Sequence, residues 1–332
     1  MKKPRALTLF SGGLDSILTA KILMEQKIKV TALTFKSYFF NERQAKKAAR
    51  ELKIPLKVID FSKEHLKMVK NPKYGYGKNM NPCIDCHILM LKKAKEIMIK
   101  QKFDFIATGE VLGERPMSQN KKVLELIEKE SSLTDCLLRP LSAKLLKKTI
   151  PEKLGQVDRG KLLAISGRSR KKQLELAKKF KLRDFPTPAG GCLLTDPEFS
   201  KRLKKLFEIF PQCQENDIEL LKLGRHFWPL DRLGVKIVVG RNEEENKKIK
   251  ELVYPPKFCG TKLRRARKGD ILIEMENYTG PLTLVRNYGK PPLPKLWCGG
   301  KKFLEIAKKL TQYYSTKARD KKDIKFKILN LK

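Results

Sequence analysis

The feature that most constrains this chain is a regular alternation of apolar runs and amphipathic stretches between Arg5 and Glu110. The runs RALTLF, KVTALTF, PLKVIDFS and FDFIATGE have the composition of short buried strands. Between them, SGGLDSILTAKILMEQK, ERQAKKAARELK and CHILMLKKAKEIMIKQK have helical periodicity, whereas HLKMVKNPKYGYGKNMNP has the composition of a loop. Strands that alternate with helices predict an α/β fold, with a parallel sheet covered on both faces.

The pattern changes at Leu137. LLRPLSAKLLKKTIPEKLG and GRSRKKQLELAKKFKL predict short basic helices, and DFPTPAGGCLLTDPEF predicts a Pro- and Gly-rich loop. The remaining stretches, from DIELLKLGRHFWP to KKFLEIAKKLTQYYST, predict further strands and helices. We therefore predict a domain over residues 1–205, with a core of about 1–145 and a basic extension carrying Cys192. A smaller basic α+β domain over residues 206–332 would follow.

The charge of the chain indicates a polyanionic partner. The formal net charge is +38, from 74 Lys and Arg against 36 Asp and Glu. Residues 201–332 contribute +17 and residues 1–200 contribute +21, so the excess is not confined to one tail. A surface of mixed-sign ion pairs would explain many charges but not their imbalance. Nucleic acid is therefore the expected partner.

The apolar segments and the cysteines indicate the compartment. No apolar run approaches the roughly 20 residues that span a bilayer, and MKKPRALTLF lacks the apolar stretch of a signal peptide. We therefore expect a cytoplasmic protein with no membrane partner. In that compartment, the seven cysteines favour metal binding or chemistry over structural disulfides.

A candidate phosphate loop lies directly after the first strand, in LTLFSGGLDSILTAK. Backbone N–H groups of Ser11, Gly12 and Gly13 would surround an anion at the start of the following helix. Asp15 would bind Mg²⁺ or ribose, and Ser16 would offer a hydroxyl group to phosphate. The stretch lacks the lysine of a Walker loop and the third glycine of a dinucleotide fingerprint. The alternative is an ordinary capped turn between strand and helix.

The motif SGG-x-DS resembles the PP-loop of N-type ATP pyrophosphatases, which adenylate a carbonyl oxygen and release pyrophosphate. Together with NPCIDCH, FDFIATGE and a later cysteine, it makes residues 5–200 similar to tRNA thiolation enzymes, the 2-thiouridine and 4-thiouridine synthetases. The resemblance implies ATP contacts at residues 11–16 and at Thr34, Phe35, Thr108 and Gly109. The chain departs from the family at Glu110, where a histidine is usual, and carries Glu114 near the usual catalytic acid.

The CxxC of Cys83 and Cys86 has no second CxxC or CxxH with which to form a four-ligand zinc site. In family terms, the pair and Cys192 resemble the three thiolates that hold a [4Fe-4S] cluster with one open iron. The alternative is a cluster-free thiouridylase in which Cys83 and Cys192 exchange a persulfide and a disulfide. Lys92 lies where cluster-dependent relatives carry a lysine near the reacting base, or else on a solvated helix face.

The tail places basic residues between aromatic residues and glycines, a pattern that suits phosphate contacts and base stacking. It resembles an RNA-binding module of ribosome quality-control factors, which implies RNA contacts at Arg225, His226, Arg241 and Asn242. The alternative is an ordinary basic domain that mediates dimerisation.

These motifs together predict an ATP-dependent tRNA sulfurtransferase that uses ATP, Mg²⁺ and a [4Fe-4S] cluster. Its sulfur would come from inorganic sulfide, a persulfide or a sulfur-carrier protein. The alternatives are the cluster-free thiouridylase, a PP-loop ligase acting on a small molecule, and a non-catalytic RNA-binding protein with structural ATP.

Overall fold

The computed structural model describes residues 3–182, 185, 191–230, 234–253, 269–288 and 298–330. The chain forms two compact units, Met1–Asp196 and Pro197–Lys332. From the sequence we predicted this boundary between residues 205 and 206. That position lies inside a helix that begins at Pro197. Among the described residues, no helix is both long and apolar enough to cross a lipid bilayer.

The first unit is built around five strands and seven helices of the described residues. In chain order they are β1 (Arg5–Leu9), α1 (Leu14–Glu25), β2 (Lys29–Lys36), α2 (Arg43–Leu52), β3 (Leu56–Asp60), α3 (Ser62–Lys70), α4 (Cys83–Gln101), β4 (Phe105–Ala107), α5 (Lys121–Glu130), β5 (Leu137–Leu138), α6 (Ile150–Lys153) and α7 (Lys171–Lys179).

The strands of this unit form one parallel sheet in the order β3-β2-β1-β4-β5. Successive residues of β1 point to opposite faces, so Ala6 and Leu7 enter different apolar clusters. One cluster includes side chains of α1, α2 and α7, and the other includes side chains of α4 and α5 together with Phe61, which directly precedes α3. The predicted α/β fold, with a parallel sheet covered on both faces, is confirmed.

Two local predictions were wrong. The stretch read as a loop from His65 onwards begins within α3, because His65, Leu66 and Val69 form one buried face. The stretch read as basic helix from Leu137 begins with β5, whose two residues pair with β4. Two residues are too short to show strand periodicity, so only the neighbouring strand reveals this element.

The second unit combines a five-stranded sheet with four helices of the described residues. Its elements are α8 (Pro197–Ile209), α9 (Glu215–Leu221), β6 (Arg225–Leu230), β7 (Val235–Val239), α10 (Glu243–Val253), β8 (Ile271–Met275), β9 (Thr283–Asn287), α11 (Cys298–Tyr313) and β10 (Phe326–Asn330). The strand order is β10-β8-β9-β7-β6, and all neighbours are antiparallel. A separate α+β domain was predicted here, and this class is confirmed.

Candidate active site

The strand order places the candidate phosphate loop at the switch point of the parallel sheet. From β1, the chain proceeds to β2 and β3 on one side and later returns to β4 and β5 on the other. Ligands of open parallel sheets bind outside the carboxyl ends of the strands at such a point. Residues 10–13 follow β1 and residues 108–115 follow β4, so the two predicted ATP segments lie at one crevice.

Two glycines permit a close approach of backbones around this crevice. Gly12 has a φ of +79°, and a Cβ there would come within 2.6 Å of the Gln44 backbone in α2. A Cβ at Gly109 would come within 2.7 Å of the Asp15 backbone. The absence of a side chain at both positions allows the ends of β1 and β4 and the start of α2 to converge on one loop.

The polar groups of the loop are arranged around the start of α1. The Ser16 hydroxyl accepts from Gly12 N at 3.2 Å and donates to Gly13 O at 2.8 Å. Gly13 N donates to the exposed Ser11 hydroxyl at 3.2 Å. The predicted ATP residues therefore form a preorganised turn at a helix N-terminus, where the helix dipole favours a phosphate.

Asp15 faces a cluster of charges beside this turn. Its Oδ2 lies 3.6 Å from Arg170 Nη2, and Arg170 Nε lies 3.7 Å from Glu114 Oε1. Burial raises the pKa of Asp15, against the opposing effect of Arg170 and Arg115. Burial and the Asp15 charge likewise raise the pKa of Glu114. Glu114 thus lies on the side of the crevice next to the phosphate loop. Arg115 and Arg170 were not among the site residues predicted from the sequence.

The remaining predicted ATP residues are largely buried. Thr108 donates from Oγ1 to Glu110 Oε2 at 2.9 Å, and Thr34 is buried in β2. The Phe35 ring packs on Phe61 with 5.1 Å between centroids, inside the apolar cluster on the α4 side. Any contact of Phe35 with ATP would therefore come from its backbone, and the assignments of Thr34 and Thr108 stay predictions.

Cys83 is the first residue of α4, and Cys86 lies one turn further on the same face of this helix. The loop that precedes α4 is fixed by Asp85, which accepts hydrogen bonds from Lys73 N at 2.9 Å and Tyr74 N at 3.0 Å. Asp85 is one of the two residues between the cysteines of the CIDC motif, so the motif itself holds the preceding loop in place.

Cys192 lies near the C-terminal end of the unit in the sequence, more than 100 residues after α4 begins. The turn after it is held by two hydrogen bonds, from Leu193 N to Phe39 O at 2.9 Å and from Asn79 Nδ2 to Thr195 O at 2.7 Å. Phe39 follows β2, and Asn79 lies in the loop before Cys83. These contacts bring together the three cysteines that the sequence grouped.

The three thiols influence one another electrostatically. Burial, with a smaller effect of a negative charge on Cys83, raises the pKa of Cys192 to about 11. Burial also raises the pKa of Cys86 well above its ordinary value, with smaller effects from Cys192 and Cys83. Within the described ranges, no group of three or more His, Cys, Asp or Glu side chains is arranged to hold a single metal ion. The assignment of these cysteines as cluster ligands stays a prediction.

Cys86 has a neighbour that sequence reasoning missed. His65 Nε2 lies 3.4 Å from Cys86 Sγ, and the imidazole stacks on Phe61 with 4.8 Å between centroids. Burial lowers the pKa of His65 to about 4, so the ring is neutral near pH 7. Helical periodicity across α3 is the only signal that points His65 inwards.

Glu110, which replaces the histidine usual in the family, contacts a histidine of α4 that directly follows Cys86. Glu110 Oε1 lies 2.8 Å from His87 Nδ1, and Glu110 Oε2 accepts from Arg139 Nε at 2.9 Å. Burial alone would raise the pKa of Glu110, but Arg139 and His87 hold it well below its usual range. Arg139 also pairs with Glu128. A histidine is therefore present beside this strand end, supplied by α4.

Lys92 is not brought to the cysteines. Nine residues separate it from Cys83, and at about 100° per residue they lie on opposite sides of α4. Its side chain is exposed, as on a solvated helix face.

Three of the four candidate RNA contacts of the second unit have structural partners within that unit, and the fourth, His226, is largely buried. The Arg225 guanidinium lies 4.5 Å from the Tyr314 ring centroid, and Arg241 Nη2 lies 2.7 Å from Glu245 Oε1. Asn242 Oδ1 accepts from Glu245 N at 2.9 Å and so caps α10. Burial and nearby cations lower the pKa of His226 to about 2. Their RNA contacts stay predictions.

Comparison with known proteins agrees with this arrangement in the first unit. Residues 2–153 match the family described as "Thiamine biosynthesis protein (ThiI)". The resemblance to PP-loop tRNA thiolation enzymes is confirmed for this part of the chain. The likeness of the second unit to ribosome quality-control factors stays a prediction.

Curated relatives carry the description tRNA-specific 2-thiouridylase MnmA. The protein of Karelsulcia muelleri is 30% identical over 133 residues, 37% of this chain and 35% of that protein. The protein of Caldicellulosiruptor saccharolyticus is 29% identical over 231 residues, 61% of this chain and 59% of that protein. The chain thus spans between about a third and three fifths of these relatives. A solved 4-thiouridine synthetase–RNA complex with bound ATP is 19% identical, with a TM-score of 0.39, and the match covers 66% of this chain and 52% of that one.

Proposed function

We propose that this protein is an ATP-dependent tRNA sulfurtransferase that adenylates a uridine carbonyl oxygen and replaces it with sulfur. The observation that carries the proposal is the convergence of three thiols with a PP-loop in one unit. The segment after β4 connects them, because Glu114 lies beside Asp15 while the charge of Arg115 acts on both Asp15 and Cys192. An adenylating loop needs no thiols unless sulfur chemistry follows.

In the first step, the backbone N–H groups of Gly12 and Gly13, which donate to the Ser16 and Ser11 hydroxyls in this structure, would exchange these bonds for phosphate oxygens of ATP at the start of α1. The uridine oxygen attacks the α-phosphorus, the bond from this phosphorus to the bridging oxygen breaks, and pyrophosphate leaves. Asp15 suits Mg²⁺, because its Oδ1 is buried without a hydrogen-bond partner and burial raises its pKa. A bound Mg²⁺ would neutralise phosphate charge.

In the second step, a sulfur nucleophile attacks the activated carbon and AMP leaves with the former carbonyl oxygen. AMP is a far better leaving group than an oxide ion, which is why ATP precedes sulfur. Arg115 and Arg170 lie where they can bind the charge of the departing phosphate.

Cys83, Cys86 and Cys192 fit a [4Fe-4S] cluster in number and in placement, because two share a helix face and the third is fixed beside them. The ligands of a four-iron cluster are spaced more widely than those of one ion, so an arrangement unsuited to a single ion is compatible with it. When bound through three cysteines, such a cluster has one iron free to hold sulfide.

The cluster-free mechanism is the second candidate, and the proximity of Cys83 to Cys192 favours it as well. One thiol would carry a persulfide, and attack by the other on the bridging sulfur would release sulfide and leave a disulfide. Its donor would be a persulfide or a sulfur-carrier protein that bears one, because inorganic sulfide forms no persulfide on a thiol without an oxidant. Inorganic sulfide would suit the cluster, which could bind it directly. The reaction would take place in the cytoplasm, where tRNA is modified.

The test is a set of single substitutions assayed with unmodified tRNA, without oxygen. Asp15→Ala should abolish tRNA-dependent pyrophosphate release, whereas Cys83→Ser and Cys192→Ser should retain release but lose thiouridine, measured by nucleoside mass spectrometry. Cys136→Ser is the matched control, because Cys136 directly precedes β5 and the charges that act on it are those of Asp135 and Lys95, not of the three cysteines. Thiouridine formation by both cysteine variants would refute the proposal.

Iron analysis of the same proteins separates the two mechanisms. Iron and broad visible absorbance that vanish with serine at any of the three cysteines would support the cluster. Iron-free protein that is active with a persulfide and tolerates Cys86→Ser would support the disulfide route. Pyrophosphate release that needs a small molecule instead of tRNA would favour a PP-loop ligase.

A further inference from the structure

The second unit contains a buried lysine that forms no ion pair or hydrogen bond with the residues of this unit that the structure describes. Lys236 lies in β7, its side chain is 0% exposed, and its Nζ has no hydrogen-bond partner. Burial, with a smaller effect of Arg286, holds the pKa of Lys236 well below its ordinary value, because an ammonium group without a partner is unfavourable away from water. An anion bound beside the amine would offset this cost and favour the charged form.

The buried carboxylates of Asp217 and Asp270 bind a different cation. Arg286 lies directly opposite Lys236 in the sheet and donates to both oxygens of Asp270, the shortest contact being 2.7 Å. Arg286 Nη1 also donates to Asp217 Oδ1 at 3.2 Å, while Asp217 Oδ2 accepts from Gln214 N at 2.9 Å. These two carboxylates thus neutralise Arg286, and Lys236 lies beside the resulting group without bonding to it.

The other neighbours of Lys236 supply donors and an aromatic face. His226 pairs with Val238 in the adjacent strand, so its side chain lies on the same sheet face as that of Lys236. Neither His226 ring nitrogen has a hydrogen-bond partner of good geometry, although the Leu221 backbone lies close enough to the ring to favour its charged form. A neutral imidazole always carries one N–H. The Trp228 ring centroid lies 5.4 Å from Lys236 Nζ. Arg202 of α8 adds positive charge from the covering helix.

We propose that Lys236, His226 and Trp228 form a binding site for a phosphate-type oxyanion on the inner face of the second unit's sheet. The ammonium and the imidazole N–H would donate to the anion, and Trp228 would close the site towards β6. A phosphate suits these donors because it accepts several hydrogen bonds and balances the excess positive charge. Its source is either inorganic phosphate or a phosphate group of RNA.

The site has a reporter of its own. The chain contains two tryptophans, Trp228 and Trp297. Trp297→Phe in the full chain leaves Trp228 as the only indole, so its fluorescence reports on the surroundings of Lys236 and not on the PP-loop. Titration with sodium phosphate, against sodium chloride at equal ionic strength, should change this emission saturably. The same titration of the Lys236→Met variant should show at least ten-fold weaker binding, as expected for the loss of a charged hydrogen bond.

The matched control is Lys204→Met, because Lys204 is exposed on α8. It removes the same charge without touching the site, and its phosphate response should equal that of the parent protein. If Lys236→Met does not fold, the parent titration alone decides, since absence of a saturable, phosphate-specific change would overturn the proposal. An equal response in the Lys236 and Lys204 variants would overturn it too.

Binding of tRNA identifies the source of the oxyanion. If Lys236→Met weakens tRNA binding about ten-fold more than Lys204→Met does, the site takes an RNA phosphate. If both variants bind tRNA equally well while only Lys236→Met loses the phosphate response, the ligand is inorganic phosphate. The inference rests on the second unit alone, so its failure would leave the proposed sulfur transfer untouched.

Discussion

Single residues decide how closely the strand ends approach the phosphate loop. At Gly109, a methyl group would meet the Asp15 backbone at 2.7 Å, and no flexible side chain is there to move aside. The end of β4 and the start of α1 are therefore in contact only because position 109 has no Cβ.

Gly109→Ala should separate β4 from the loop and lower the free energy of unfolding by about 1–3 kcal/mol. Because the loop itself must shift, the ATP concentration for half-maximal pyrophosphate release should rise. The control is Gly160→Ala, where the nearest neighbour is the Asp158 carboxylate at 3.0 Å, the tip of a side chain that needs to shift only slightly and can keep its hydrogen bond from Gly160 N. Urea unfolding and an ATP titration of both variants check the expectation, and equal results would contradict it.

Glu110 is the second residue with a large expected effect. It is buried between His87, Thr108 and Arg139, and its loss as a charge would leave Arg139 with Glu128 alone. Glu110→Gln should therefore lower the free energy of unfolding by about 3–5 kcal/mol. Glu130→Gln is the control, since Glu130 binds the exposed Lys73 and its loss should change stability far less than the loss of Glu110. Denaturant unfolding measures both.

The same carboxyl group predicts the acid response of the first unit. Arg139 and His87 depress the pKa of Glu110 in the folded state, so below about pH 4.3 the unfolded state binds more protons than the folded state. The contribution is complete above this pH and is lost as pH falls through the depressed folded pKa. Unfolding midpoints measured between about pH 5 and pH 3 should fall less steeply for Glu110→Gln than for the natural chain, and parallel curves would exclude this role.

Among the secondary-structure elements, α10 depends on Asn242. This residue was predicted to contact RNA, yet its Oδ1 accepts from Glu245 N at 2.9 Å and caps the helix. Asn242→Ala should lower the free energy of unfolding by about 1 kcal/mol, whereas Asn242→Ser should keep the cap. If Asn242→Ser binds tRNA more weakly than the natural chain although its stability is retained, Asn242 also contacts RNA. If the tRNA affinity of Asn242→Ser is unchanged, Asn242 acts only by capping the helix.

Periodic elements could be predicted from the sequence, and contacts between distant segments could not. The strands β1 to β4 and the helices α1, α2 and α4 have patterns long enough to read. The two residues of β5 have none, and the loop reading of His65 onwards gave too little weight to a buried face of three residues. In the site, the cysteines were grouped by motif, whereas Arg170 follows β4 by about sixty residues, and no local pattern links it to Asp15.

The pairing of His87 with Glu110 shows the same limit. The sequence shows a missing histidine after β4 and a histidine after the CxxC, but only the packing of α4 beside β4 brings them within 2.8 Å. Tertiary contact, which a single sequence does not encode locally, decides that the two observations belong together.

For the whole molecule, the division into two units and the distribution of charge lead to one prediction. The first unit contains the PP-loop and the three cysteines, and both halves of the chain are strongly basic, with +17 on residues 201–332. If the second unit supplies part of the tRNA contact, its removal should weaken tRNA binding and reduce the number of phosphates neutralised.

A chain ending at Asp196 retains both apolar clusters of the first unit and should therefore keep ATP binding, measured by calorimetry. The logarithm of its tRNA binding constant, plotted against the logarithm of salt concentration, should have a shallower slope than that of the full chain, because fewer counterions are released. Far-UV circular dichroism of the shortened chain is the control for folding. Equal slopes and equal affinities would show that the second unit takes no part in tRNA binding, and its basic surface would then have to serve another anion or a second copy of the chain.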